Sequence, residues 1–124
     1  MIKFFIIFNL HKFLLDIFMH NFLIQPPIGV LANEGYKVGK QGPSFLKRHI
    51  ILRKIWLGDI KTIGSEEYMK TWGKKGSKKR LNKILNCLCG FINDPVHKNH
   101  HDAISDWDSD YEWLIEESKK YNIL

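Results

Sequence analysis

The sequence predicts a mainly α fold: a small helical domain carrying a helix-turn-helix-like pair near its middle, with an apolar helix at its N-terminal side. Three observations predict it. Leu81, Ile84, Leu85 and Leu88 recur at helical spacing, with Lys79, Asn82, Lys83 and Asn86 on the opposite side. Ile104, Trp107, Tyr111, Leu114, Ile115 and Ser118 form a second such stripe. Ser44, Ser65 and Ser77 each stand just before a helical pattern, where a hydroxyl can accept an orphan N–H of the first turn. The chain has 124 residues, enough for one domain and one modest core. Its 44% hydrophobic content argues against global disorder.

Residues 1–25 are rich in Phe and Ile, but Lys3, Asn9, His11, Lys12, Asp16, His20 and Asn21 interrupt them. No run reaches the ~18 apolar residues of a membrane span. A partly buried helix is the ordinary reading. A second reading has translation begin at Met19, making the preceding residues a non-native extension. A secretory leader, opened by Lys3 and cut near Val30-Leu31-Ala32, is opposed by the polar breaks at Asn9 to Lys12 and Asp16.

Gln25-Pro26-Pro27 ends that pattern, because proline lacks a donor and restricts the residue before it. Residues 26–43 carry four glycines and read as a loop, with a short extended piece around Tyr36-Lys37-Val38. The helical domain is expected over residues 44–121. In its first helix, Phe45 to Leu57, the core-facing positions read as 45, 46, 49, 52 and 56. Basic Lys47, Arg48, Arg53 and Lys54 fall between them, and Gly58 is the stop. A short helix opens at Ser65-Glu66-Glu67, with acids where the helix dipole favours them, and ends at Trp72-Gly73. The next runs from about Lys78 to Phe91 and is closed by Asn93-Asp94-Pro95. The last runs from about His101 to Lys120, acidic at its start and basic at its end. The expected core is Trp56, Trp72, Leu81, Ile84, Leu85, Leu88, Trp107, Tyr111 and Leu114.

Charge is unevenly placed on a chain of net charge +6. From Lys37 to Lys83 there are 14 Lys/Arg against three acids; from Asp94 to Ser118 there are eight acids against one Lys. A basic middle attracts a polyanion, and nucleic acid is the usual one. The bland alternative is a basic surface neutralised by the chain's own acidic helix. The run Gly73-Lys74-Lys75-Gly76-Ser77-Lys78-Lys79-Arg80 sits at a helix start and offers the lysines, arginine and backbone N–H groups that phosphates use. Lys74, Lys75, Ser77, Lys78, Lys79, Arg80 and Lys83 are therefore the expected nucleic-acid contacts. Asn82, Lys83 and Asn86 are suitable donors to bases.

Other motifs are weaker. Gly39-Lys40-Gln41-Gly42 matches the GXXG clamp of KH domains but lacks the surrounding β-α-α-β pattern. Cys87-x-Cys89 with His97, His100 and His101 departs from zinc-ligand spacing, and cysteine in an apolar helix commonly acts as a small hydrophobe. Asp106-x-Asp108-x-Asp110 with Glu117 copies part of a calcium loop, but Tyr111 stands where a glycine is needed. His49, His97, His100 and His101 are candidate bases and Ser44 or the cysteines candidate nucleophiles, but no spacing ties a nucleophile to a base. The expectation is a non-enzymatic protein without cofactor or metal. Two close cysteines on different helical faces fit a reducing, cytoplasmic compartment.

Gly35-Tyr36-x-Val38-Gly39, a basic helix ending in Ile51-Leu52, Tyr68-x-x-x-Trp72-Gly73, Ser77-x-x-Arg80-Leu81 and Trp107-x-x-Asp110-Tyr111-x-x-Leu114 together resemble an uncharacterised bacterial domain. That domain occurs in small proteins and at the ends of larger ones that handle nucleic acid. The resemblance spans about residues 34–121. It departs at Thr71, where Glu is usual, at Tyr111, where Leu is usual, and at His97 to His101, where basic residues are usual. It implies that Trp72 and Trp107 are core landmarks. The combined expectation is a DNA-binding accessory module with no membrane span. The alternative is a module for protein–protein contact or dimerisation.

Overall fold

A computed structural model describes residues 26 and 28–121. Five α-helices follow one another: α1 (Val30–Asn33), α2 (Phe45–Leu57), α3 (Glu66–Lys70), α4 (Lys78–Asn93) and α5 (His101–Lys119). A 3-10 turn at Pro95–His97 links the last two. The described residues contain no strand, so the domain is mainly α. The apolar N-terminal helix expected over residues 1–25 lies outside the described residues.

The helix starts follow the serines. Ser44 Oγ accepts from the Lys47 N–H, Ser65 Oγ from Tyr68 and Ser77 Oγ from Arg80. Each bond satisfies one of the four N–H groups that a helix start leaves open. Asp94 plays the same part for the 3-10 turn, accepting from the Val96 N–H at 3.0 Å. Pro95 then cannot continue α4, which stops at Asn93.

Helices α2, α4 and α5 pack against one another, most extensively α4 on α5. Leu52, Ile55 and Trp56 of α2, Leu81, Ile84 and Leu88 of α4, and Leu114 of α5 are fully buried. Trp72, in the connection between α3 and α4, joins them. Every expected core residue is buried. Removing each such side chain from water contributes about 1.5–3 kcal/mol before ordering costs.

Three features differ from the sequence reading. Residues 26–43 are not loop throughout: Val30 and Leu31 of α1, with Tyr36 just beyond, belong to the core. An apolar pair on one helical turn is enough to anchor the segment, and the Tyr36 N–H bonds the Leu31 carbonyl at 2.9 Å. On α2 the outer and inner faces are rotated. Phe45, Leu46 and Ile50 are 57%, 64% and 61% exposed, while Arg48 is buried. A paired guanidinium inside outweighs the apolar match, as shown below. On α4, Lys83 and Asn86 are buried although they oppose the leucine stripe, because α3 and the turn after it cover that side.

Among the described residues, no helix is long and apolar enough to cross a membrane. Leu88 is wholly enclosed between the packed helices. Leu88→Ala is therefore expected to lower unfolding free energy by about 2–5 kcal/mol in a urea titration, with the helical signal retained in water.

Candidate nucleic-acid interface

The connection 71–77 between α3 and α4 is a braced turn. Gly73 and Gly76 have φ of 67° and 73°, a region that favours glycine. The Gly76 N–H bonds the Trp56 carbonyl at 2.7 Å, fastening the turn to the end of α2. At Gly73 an added Cβ would stand 3.0 Å from the aliphatic stem of Lys79, so that lysine lies across the backbone of the turn. Ser77 closes it locally: its hydroxyl donates to the Lys74 carbonyl at 2.6 Å while accepting from Arg80 N–H at 3.1 Å.

Arg80 is turned inward, against expectation. Nε donates to Trp72 O at 3.3 Å, Nη1 to Ile55 O at 3.2 Å and Gly58 O at 2.8 Å, and Nη2 to Gly73 O at 2.8 Å. Its residue is only 6% exposed. The last carbonyls of a helix have no intrahelical donor, and this guanidinium supplies one to the end of α2. Burial pulls its pKa down, only partly countered by Asp59. Lys83 is also inward, with Nζ 5.7 Å from the Trp72 ring and 5.9 Å from the Tyr68 ring. A cation at that distance is drawn to the ring face. Lys83 and Asn86 are buried, and of Arg80 only an edge reaches the cleft beside the turn.

Lys74, Lys75, Lys78 and Lys79 remain exposed. Lys75 lies 3.2 Å from Asp59 in a solvent-exposed pair, which is worth little. The other three have no ion pair among the described residues. Ser77 acts as the cap.

The acids of α5 are engaged elsewhere. Arg48 Nε donates to Asp110 Oδ2 at 2.7 Å and Nη2 to Oδ1 at 3.2 Å, a bidentate pair. Tyr36 Oη donates to the same Oδ2 at 2.7 Å, and His49 Nε2 lies 3.0 Å from Oδ1. Asp110 is fully buried under these partners. Asp106 accepts from the Gly39 N–H at 2.9 Å, so the Gly39 to Gly42 loop is fastened to α5. Glu117 takes Arg53 at 2.9 Å and Lys120 at 3.0 Å. Those two cations, Lys120 foremost, hold its carboxyl below the usual range.

Burial, with Asp110 beside it, drives the Tyr36 phenol pKa well up. Arg48 loses charge stability through burial, but its bonds to Asp110 outweigh the loss and its pKa rises. For His49, burial and the neighbouring cations Arg48 and Arg53 prevail over Asp110, and its pKa falls. The neutral ring stacks on Trp113 at 4.0 Å with planes 5° apart. Because the Asp110 carboxylate can only accept, His49 Nε2 is the donor of their 3.0 Å contact.

The remaining motifs do not converge. Asp106, Asp108 and Asp110 lie in continuous helix, so they form no calcium loop. His97 packs on Trp107 at 4.8 Å, and Cys89 is buried with its thiol pKa raised by burial. Among the described residues, no group of three or more His, Cys, Asp or Glu could hold a metal ion.

No family model, curated protein or solved structure matches this chain.

Composition and periodicity do not point to the polar cluster around Asp110. Its signals were an Arg on an apolar face and an Asp inside the Trp107–Leu114 stripe. Asp110→Ala would leave the buried Arg48 guanidinium only the longer, 3.7 Å pair with Asp106 and the Pro43 carbonyl, so it is expected to cost about 3 kcal/mol in chemical denaturation. A folded-state pKa below the unfolded value means that folding favours neutral His49. Its contribution is present above the unfolded pKa of about 6.5 and is lost as pH falls below it. Melting temperature should drop between about pH 7 and 5.5, and less so in His49→Gln, which cannot charge. Glu117 acts in the same direction only near the carboxylate range.

Proposed function

We propose that this domain is a non-enzymatic nucleic-acid-binding module, DNA its expected ligand, that meets the phosphate backbone through Lys74, Lys75, Lys78 and Lys79. One observation carries the reading. Four exposed lysines, two in the turn braced by Arg80 and the Gly76–Trp56 bond and two in the first turn of α4, pair with no described α5 carboxylate. Preformed cations bind a polyanion with less ordering cost than cations on a loose tail. Helices α3 and α4 with their turn make the helix-turn-helix-like pair of this reading. With Lys83 and Asn86 inward, contact is made to phosphates more than to base edges, so binding is weakly selective for sequence. The bacterial domain that the sequence resembles, and a reducing cytoplasmic setting for Cys87 and Cys89, which form no disulfide with each other, agree with it.

A second reading rests on the outer face of α2. Phe45, Leu46 and Ile50 are each more than half exposed, and exposed apolar groups side by side favour a protein partner or a second copy. A dimer that persists in high salt and ignores DNA, seen by light scattering, would favour it.

Two measurements test the primary reading. Four lysines limit counterion release, so log K against log salt should slope no more steeply than about −3.6. Affinity would then fall about 100-fold between about 50 and 200 mM salt. Lys74→Glu, Lys78→Glu and Lys79→Glu together should abolish DNA retention and leave the melting temperature within a few degrees, because all three are surface groups. Undiminished retention by that folded variant would rule the turn out. Arg80 is left intact in this variant, since a carboxylate there would face four carbonyls and unfold the turn.

A further inference from the structure

Beside the basic turn lies a shallow cleft of about 520 Å³. Its lining includes Lys74, Lys75, Arg80 and Asp59, with apolar Ile60 and Met69 between. Arg80 is its unusual member. The four hydrogen bonds of the guanidinium all go to neutral carbonyls. Carbonyls satisfy donors but do not cancel a full positive charge. No carboxylate of the described residues lies within ion-pair distance of it. A guanidinium has five N–H donors, and Nη2 has used only one of its two. The side chain is more than nine-tenths buried. An uncompensated cation in a low-dielectric wall focuses its field into the adjoining opening.

The two lysines add to that field. Asp59 is the acid on the cleft lining and is 90% exposed, 3.2 Å from Lys75 Nζ. It stands where an anion would be attracted.

We propose that this cleft is a single-phosphate site. The free Nη2–H of Arg80 and the ammonium groups of Lys74 and Lys75 hold one phosphoryl group, and Asp59 is the resident competitor that the phosphate displaces from Lys75. The identity of that phosphoryl group as part of a nucleic acid rests on the function proposed above; the site itself rests on the cleft. Lys78 and Lys79 are not among the cleft residues and serve the flanking phosphates.

The test is a titration of the whole chain with inorganic phosphate, followed by the backbone N–H signals of residues 73–76 and the Arg80 Nε–H. Saturable shifts confined to these groups are expected. Asp59→Asn removes the competitor from a fully accessible position and should tighten phosphate binding by about fivefold. Lys75→Gln should weaken it by a similar factor, while Lys78→Gln leaves it unchanged and lowers affinity only for DNA. No saturable shift, or equal phosphate affinity in Asp59→Asn and Lys75→Gln, overturns the site. Phosphate binding with these variant effects but no DNA binding keeps the site and overturns the nucleic acid as its source. DNA binding that ignores Asp59→Asn, without phosphate shifts, keeps the module and overturns the cleft.

Discussion

The Arg80 guanidinium is the fastening on which the basic turn depends. It gathers carbonyls from the end of α2, from Gly58 beyond it, and from Trp72 and Gly73 before α4. Three pieces of chain that share no regular hydrogen-bond ladder are held by one planar group. A lysine could not do the same, because its donors radiate from one nitrogen and cannot reach carbonyls spread around the edge of a plane. The consequence reaches the surface. The lysines before and after Ser77 owe their fixed backbone to a cation that is itself almost wholly buried.

A second division of charge completes the picture. The acids of α5 might have been expected to neutralise the basic middle of the chain wherever they met it. They meet α2 instead: Arg48 with Asp110, and Arg53 with Glu117. Basic residues of the middle are thereby sorted into two sets. Those on α2 become part of the interior or its border, and those of the turn stay with water. Net charge alone does not distinguish the sets; the packing of α5 on α2 does.

Much of the helical frame is legible in the sequence, and for definite reasons. Ser44, Ser65 and Ser77 mark helix starts that the structure has, and the stripes through Leu81–Leu88 and Trp107–Leu114 face the core. These are local signals, read over one or two helical turns. What escaped is non-local. Arg48 looks like a solvated residue between apolar ones until Asp110, 62 positions later, is placed beside it. Arg80 looks like one more surface cation in a basic run until the carbonyls of α2 come within reach. Lys83 looks exposed until α3 covers that flank with Tyr68 and Trp72. A charged residue reads as outward by default, because burying it alone costs several kcal/mol; only a partner from elsewhere in the fold reverses that. Val30 and Leu31 were hidden for a simpler reason, since four residues of helix amid glycines and prolines give no periodicity to detect.

The bond between Arg48 and Asp110 also imposes an order on assembly. A ribosome makes α2 first and must add 62 more residues before the carboxylate exists. At about 5–20 residues per second that interval is about 3–12 s, during which the guanidinium lacks its bidentate partner. Helix α2 therefore has no reason to bury its inner face on a nascent chain that lacks α5. Release of the C-terminal helix from the exit tunnel is the event that lets the interior close.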